Sequence, residues 1–165
     1  MDRPPEVSAP YARLVLQSGV VSPEKLLHGT DLSVAAVAAM EFVSATDLTV
    51  LFRNYEQNVN DPTWTAKLGA QLNMAAHGPL GFAALSAPTL GEALDVMSDL
   101  QASRNTAMTA RSIVTDTHYR LEMECAVADR DFDRWMTEVI MKIIEALLAS
   151  ILGHPVGPNV TIGFT

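Results

Sequence analysis

From Tyr119 to Val127 the chain alternates without a fault: Tyr119, Leu121, Met123, Cys125 and Val127 face one way, and Arg120, Glu122, Glu124 and Ala126 face the other. A period of two is the mark of a half-buried antiparallel strand. The stretch MTARSIVTD, ending at Asp116, supplies a hairpin partner with a weaker period. Downstream the period lengthens to that of a helix. DFDRWMTEVIMKIIEALLASILG places Phe132, Trp135, Met136, Val139, Ile140, Ile143, Leu147 and Ile151 on one wide apolar face and is ended by Gly153 and Pro155. NVTIGFT, residues 159–165, then reads as a strand.

Upstream of the hairpin, helical spacing dominates. YARLVLQSGV reads as a short amphipathic helix with Leu14 and its neighbours inward, and SPEKLLHGT as a second, with Ser22 as N-cap, Pro23 at the first position and Gly29 at the end. LSVAAVAAMEFV fits a small-residue helix and a strand equally. Ser44 caps ATDLTVLFRNYEQNV, whose Leu48, Leu51, Phe52 and Tyr55 share a helical face, and Pro62 starts a helix carrying Trp64, Leu68 and Leu72. The pattern as a whole predicts an α+β fold: helices packed on an antiparallel sheet, with a long C-terminal helix followed by a strand.

Between Leu68 and Gly91 the chain carries no Asp, Glu, Lys or Arg. Gln71, Asn73, His77, Pro79, Ser86, Pro88 and Thr89 interrupt this run, so it lacks the roughly 20 predominantly apolar residues of a membrane span. Pro79 after Gly78 opens a short helix, and SAPT closes it because residues before proline leave the helical region. Thr89 with Glu92 three residues on forms a capping box for a helix from Leu90 to about Ser103. The run is expected to form two buried helices joined by a short corner.

Composition agrees with a single domain. The 165 residues are 48% hydrophobic and 18% charged, below the usual quarter charged, and a domain of this length buries roughly 70% of its unfolded surface. The apolar surplus suits a pocket or a partner. With 11 basic against 19 acidic residues, net −8, the chain is a poor match for nucleic-acid backbones or anionic membranes. The segment MDRPPEVSAPYARL has neither a long apolar core nor a small-residue cleavage site, and the single cysteine, Cys125, fits a reducing compartment, so a cytoplasmic location is expected.

Candidate chemistry reduces to structure at each position. Ser22 and Lys25 form an S-x-x-K pattern without the SDN or KTG that accompanies it in penicillin-recognising enzymes, and Ser-Pro is what a helix start requires. The acidic group Asp129 to Asp133 begins like a calcium loop but has Arg134 where the glycine belongs and Ile140 where the glutamate belongs; its carboxylates answer a helix dipole. His28, His77, His118 and His154 lie far apart, so no zinc spacing exists. Cys125 shares the apolar strand face, where a thiol stays protonated and inert. No catalytic residue, metal or cofactor is expected. Phe52, Tyr55, Trp64, His77 and Trp135 are candidates to border a ligand cavity, since aromatic and imidazole rings combine bulk with polar handles. Met136, Ile140, Ile143 and Leu147 are candidates for a homodimer face, because so wide an apolar helix often exceeds what one sheet covers.

GPLGFAALSAPTLGEALDVM, with Gly78, Gly81, Ala83, Ser86, Pro88, Thr89, Leu90, Glu92, Ala93 and Leu94 in order, resembles the G-x-x-G-x-A-x-x-S-x-P-T-L-x-E-A-L signature of the N-terminal, arabinose-binding-like, effector-sensing domain of AraC-type transcriptional regulators. LLHGTDLS, NDPTWTAKLGAQLNMAAHGPLG and LGHPVGPNVTIGFT resemble the surroundings of that signature, so the likeness covers nearly the whole chain. It implies a small-molecule effector of unspecified identity and no turnover of it. It also implies DNA binding only through a C-terminal pair of helix-turn-helix units absent from these residues, so that 1–165 read as a C-terminally truncated sensing domain. Small residues in the signature, among them Gly78, Gly81, Ala83 and Ala84, are expected to let helices approach closely and shift as a pocket fills. Two other classes stay open: an enzyme, which would turn over a substrate, and a dimerisation module, which no small molecule would stabilise.

Overall fold

A computed structural model describes residues 4–72, 74–157 and 160–161. The first strand, β1 (Glu6–Ser8), leads through Ala9 into α1 (Pro10–Gln17), which buries Tyr11, Ala12, Val15 and Leu16 while Leu14 packs only at the margin of the core. Next comes α2 (Pro23–Leu27), with Ser22 as its N-cap residue. The ambiguous LSVAAVAAMEFV resolves into both readings: α3 (Val34–Ala39), capped by Ser33, and β2 (Phe42–Ser44). β2 runs antiparallel to β1 with Val7 opposite Val43. Ser44 then accepts the Asp47 backbone N–H and starts α4 (Ala45–Asn58).

The next helix, α5 (Trp64–Gln71), begins two residues later than Pro62 implied. Asp61 explains the delay: its Oδ1 accepts from both the backbone N–H and the hydroxyl of Thr63, at 2.9 and 2.7 Å, holding those residues in a turn. A 3₁₀ turn over Met74–His77 leads to α6 (Pro79–Leu85) and α7 (Leu90–Leu100), whose N-cap Thr89 accepts from Glu92. The predicted final turn of α7 is a separate 3₁₀ segment, Gln101–Ser103. The expected hairpin forms, β3 (Met108–Val114) against β4 (Tyr119–Cys125) with Ala110 opposite Met123. α8 (Arg130–Leu152) opens on Asp129, which accepts from Asp131 and Phe132, and closes at Gly153 in the left-handed conformation.

The fold is α+β, with two two-stranded antiparallel ribbons. One core holds α1, α4, α5 and the first half of α8, with Leu48, Leu51, Phe52, Phe132, Trp135 and Met136 completely buried. α7 lies on the β3–β4 hairpin, where Asp95 accepts from Ser112 Oγ at 2.8 Å and from the Tyr119 hydroxyl at 2.5 Å. β1 joins the two parts: it pairs with β2 along one edge, and along the other Ser8 N–H donates to Arg104 and Thr106 N–H to Glu6. The strand expected over residues 159–165 falls largely outside the described residues, and none is assigned at Val160 or Thr161.

Two expectations are corrected by burial. The charge-free run is not buried throughout: α6 buries only Gly81 and Ala84, α7 only Ala93, and Phe82 and Leu85 are 60% and 40% exposed. A seven-residue helix can turn one stripe inward, and here that stripe belongs to the small residues. Gly78 also works otherwise than expected, since no heavy atom would meet a Cβ there; its φ of +56° is what requires glycine. Close approach falls to Gly69 in α5, where a Cβ would stand 2.5 Å from the Val139 carbonyl oxygen of α8.

Candidate functional site

Four of the five rings proposed from sequence come together. Phe52 of α4 meets Trp64 of α5 edge to face at 5.2 Å and Trp135 of α8 at 6.1 Å, while Tyr55 lies 5.3 Å from Trp64. Glu56, one residue past Tyr55, closes the cluster: Arg134 and the indole N–H groups of Trp135 and Trp64 donate to its Oε1 at 2.8, 2.9 and 3.5 Å. Burial pushes the Glu56 carboxyl up, but these bonds and the Arg134 charge outweigh it and hold the group below its usual range. Phe52 and Trp135 are fully buried and Trp64 nearly so. This is close-packed interior with a satisfied polar edge, and its rings are already in contact with one another.

His77 lies apart from that cluster. It closes the 3₁₀ turn before α6, and with Leu80, Gly81 and Ala84 of α6, Met97 of α7, and Ile143 and Leu147 of α8 it lines a cavity of about 30 Å³. Every other lining residue is apolar. The Leu72 carbonyl, 3.3 Å from Nε2, can only accept, so that nitrogen carries the proton in the neutral ring and Nδ1 is left with its lone pair. Burial lowers the His77 pKa, the Leu72 bond opposes this, and the Arg104 charge adds to the lowering. A wider recess of about 630 Å³ runs beside the start of α8, but all six residues lining it, Arg130 to Glu138, belong to that one helix. It has no second wall, whereas the His77 cavity is walled by three helices.

The model of the N-terminal arabinose-binding domain of AraC transcription regulators matches residues 21–164. The chain belongs to this family. A comparison with curated proteins finds no match. In this arabinose-binding domain the signature Gly78 to Leu94 builds α6, the corner and the start of α7, and Gly81 and Ala84 are the positions whose small size leaves the cavity open. Of the proposed pocket residues His77 lines this cavity; Phe52, Trp64 and Trp135 are buried in the core and Tyr55 is half-buried against it.

The proposed dimer face needs a similar correction. Met136 and Leu147 are completely buried, and Ile143 and Ile140 are 5% and 8% exposed, so all four are occupied by packing inside one chain. The sequence over-read α8 because the helices covering it, α4, α5 and α6, come from distant segments. Among the described residues no group of three or more His, Cys, Asp or Glu is placed to hold a metal ion, and no helix is long and apolar enough to cross a membrane. Ser22 and Lys25 are both exposed at the start of α2, Asp129 pairs with Arg53 at 3.0 Å, and the Cys125 thiol donates to the Val127 carbonyl at 3.5 Å with its pKa raised by burial.

Sequence reasoning missed Leu80, Met97 and Arg104. Leu80 and Met97 are ordinary apolar helix positions, and Arg104 follows the last turn of α7, where a cation already has a dipole to answer. The His77 shift yields a prediction. Its folded pKa lies below the ordinary imidazole value of 6.5, so its contribution to stability is fully present above that value and is lost as pH falls through the lowered folded value. Urea midpoints measured from about pH 7.5 down to about pH 5 should fall in the native chain and fall less in His77→Gln. Equal slopes would remove His77 from the account.

Proposed function

We propose that the domain senses a small molecule at the His77 cavity and passes the bound state to a DNA-binding domain outside these residues, as the regulatory half of a cytoplasmic bacterial transcription factor. What carries the reading is that the family signature and the cavity coincide: α6 and α7 form two of its walls, and α8 the third. α7 is fastened to the hairpin through Asp95, whereas α6 meets α8 through the small and apolar residues around the cavity. A ligand that fits better when α6 stands away from α8 shifts the population toward that arrangement, and differential affinity is all the chemistry a regulator needs. It binds its effector and releases it unchanged. At about 30 Å³ the closed cavity holds little more than one water, so binding includes this opening.

The second reading, self-association, draws on the exposed side of α6, where Phe82 and Leu85 stand in place of the buried α8 residues. A ligand screen separates the two. An effector at about 100 times its dissociation constant should add about 2.7 kcal/mol, which for a chain of this size raises the melting temperature by roughly 5–10 °C. Ala84→Leu, which fills the cavity, should abolish that shift, and Tyr55→Phe, in the remote cluster, should leave it intact. A shift that survives Ala84→Leu would place the effector elsewhere. A broad metabolite library without a single hit on a chain that includes the DNA-binding domain would leave self-association as the better reading.

A further inference from the structure

Arg104 stands out among the cations of this chain. Like Arg13, it is half-buried with no carboxylate within ion-pair distance among the described residues, but Arg13 donates to two carbonyls whereas Arg104 leaves a buried N–H unpaired. Its Nη2 donates to the Ala76 carbonyl at 3.1 Å, while its Nε is buried with no hydrogen-bond partner. Two neighbours share the condition. The Nδ2 of Asn105 and the Oγ of Ser8 are buried and unpartnered, and Ser8 is tied to Arg104 through its backbone N–H at 2.8 Å. Asn105 and Ser8 are 4% and 1% exposed. Buried donors without acceptors, one of them on a guanidinium, cost stability unless something pairs with them.

The position of Arg104 relates this to the cavity. Ala76, whose carbonyl it bonds, immediately precedes His77, and the guanidinium charge acts on both His77 and the buried Tyr11. Arg104 thus bonds the turn that ends in His77, one residue from the cavity lining, although neither it nor Ser8 nor Asn105 lines the cavity itself.

Resting on the sensing function proposed above, we propose that the effector is an apolar monocarboxylate: its carboxylate is held by Arg104, with Ser8 and Asn105 as supporting donors, and its hydrocarbon part enters between α6 and α8. A carboxylate matches the guanidinium fork with two parallel acceptors, and the uncharged cavity walls select a tail without polar groups. A dicarboxylate or a sugar would put unpaired polar groups against Leu80, Ala84 and Leu147.

The test uses straight-chain carboxylates from acetate to octanoate and the matching primary alcohols, added to the unmutated chain and read by thermal shift and calorimetry. At least one carboxylate should bind, and at least tenfold more tightly than its alcohol. Arg104→Met should remove that preference, Arg104→Lys should weaken it while keeping its sign, and Ala84→Leu should abolish binding of acid and alcohol alike. Should neither Arg104 variant fold, the comparison of acid with alcohol on the unmutated chain decides by itself. Equal affinity for the two, or no carboxylate binding, overturns the proposal, and ordered water is then the partner of these donors. If the carboxylates fail but a neutral metabolite binds and is lost in Ala84→Leu, the sensing function stands and only the anionic effector falls. If no compound of any class binds, both fall.

Discussion

Trp135→Ala is expected to lower the stability of the chain by about 3–5 kcal/mol, the range for removing a buried tryptophan, and the melting temperature by roughly 6–20 °C. The indole is completely buried among α4, α5 and α8 and meets the rings of both Phe52 and Trp64 at 6.1 Å. Its loss leaves a cavity that Phe52 and Trp64, already held by each other at 5.2 Å, cannot collapse into. It also takes one donor from Glu56, which keeps Arg134 at 2.8 Å. Trp135→Phe separates the two contributions: most ring contact is kept and one hydrogen bond is lost, a cost on the order of 1 kcal/mol. Urea denaturation of the three proteins measures both, and the slope should be unchanged if only the native packing differs. A loss below 1 kcal/mol for alanine would mean that the cluster does not hold these helices together.

Leu147→Ala should cost about 2–5 kcal/mol, and where the value falls in that range reports on α6. Leu147 is fully buried and already borders the cavity beside His77. Truncation therefore enlarges an existing space. If α6 moves onto α8 to fill it, the cost lies near the lower end; if α6 is held off by the corner at Pro88 and by its packing on α7, the cost lies near the upper end. A ligand that binds by parting α6 from α8 requires the first result. Replacing Met97, which lines the same cavity from α7 but is only half-buried, with alanine should cost less than the Leu147 change.

The elements of this fold were legible where local chemistry decides them. Ser44 and Thr89 cap their helices through side-chain bonds to backbone N–H groups three residues on, a relation written within a few residues of sequence. The strand β4 follows from strict alternation. What escaped was the partner of each apolar face. The rings of Phe52, Trp64 and Trp135 come from three helices, and whether they enclose a space or fill it depends on how closely those helices cross, which Gly69 sets by allowing α5 onto the α8 backbone. His77 was visible as the only ionisable side chain within the charge-free run. Arg104 was not, because its peculiarity is a buried Nε without a hydrogen-bond partner, and that exists only once the chain is folded.

Both tryptophans of the chain sit in one cluster, with ring centroids 6.1 Å apart. Twelve residues separate Trp135 from Leu147 along α8, a rise of roughly 18 Å, so the chain's own emission is confined to one end of the molecule. An instrument following that emission would record global unfolding and little of what happens beside His77. A titration with the right effector could return a flat trace while α6 swings away from α8. Carbon-13 labels on the methyl groups of Met97, or a tryptophan introduced at the exposed Phe82, would put the light where the movement is.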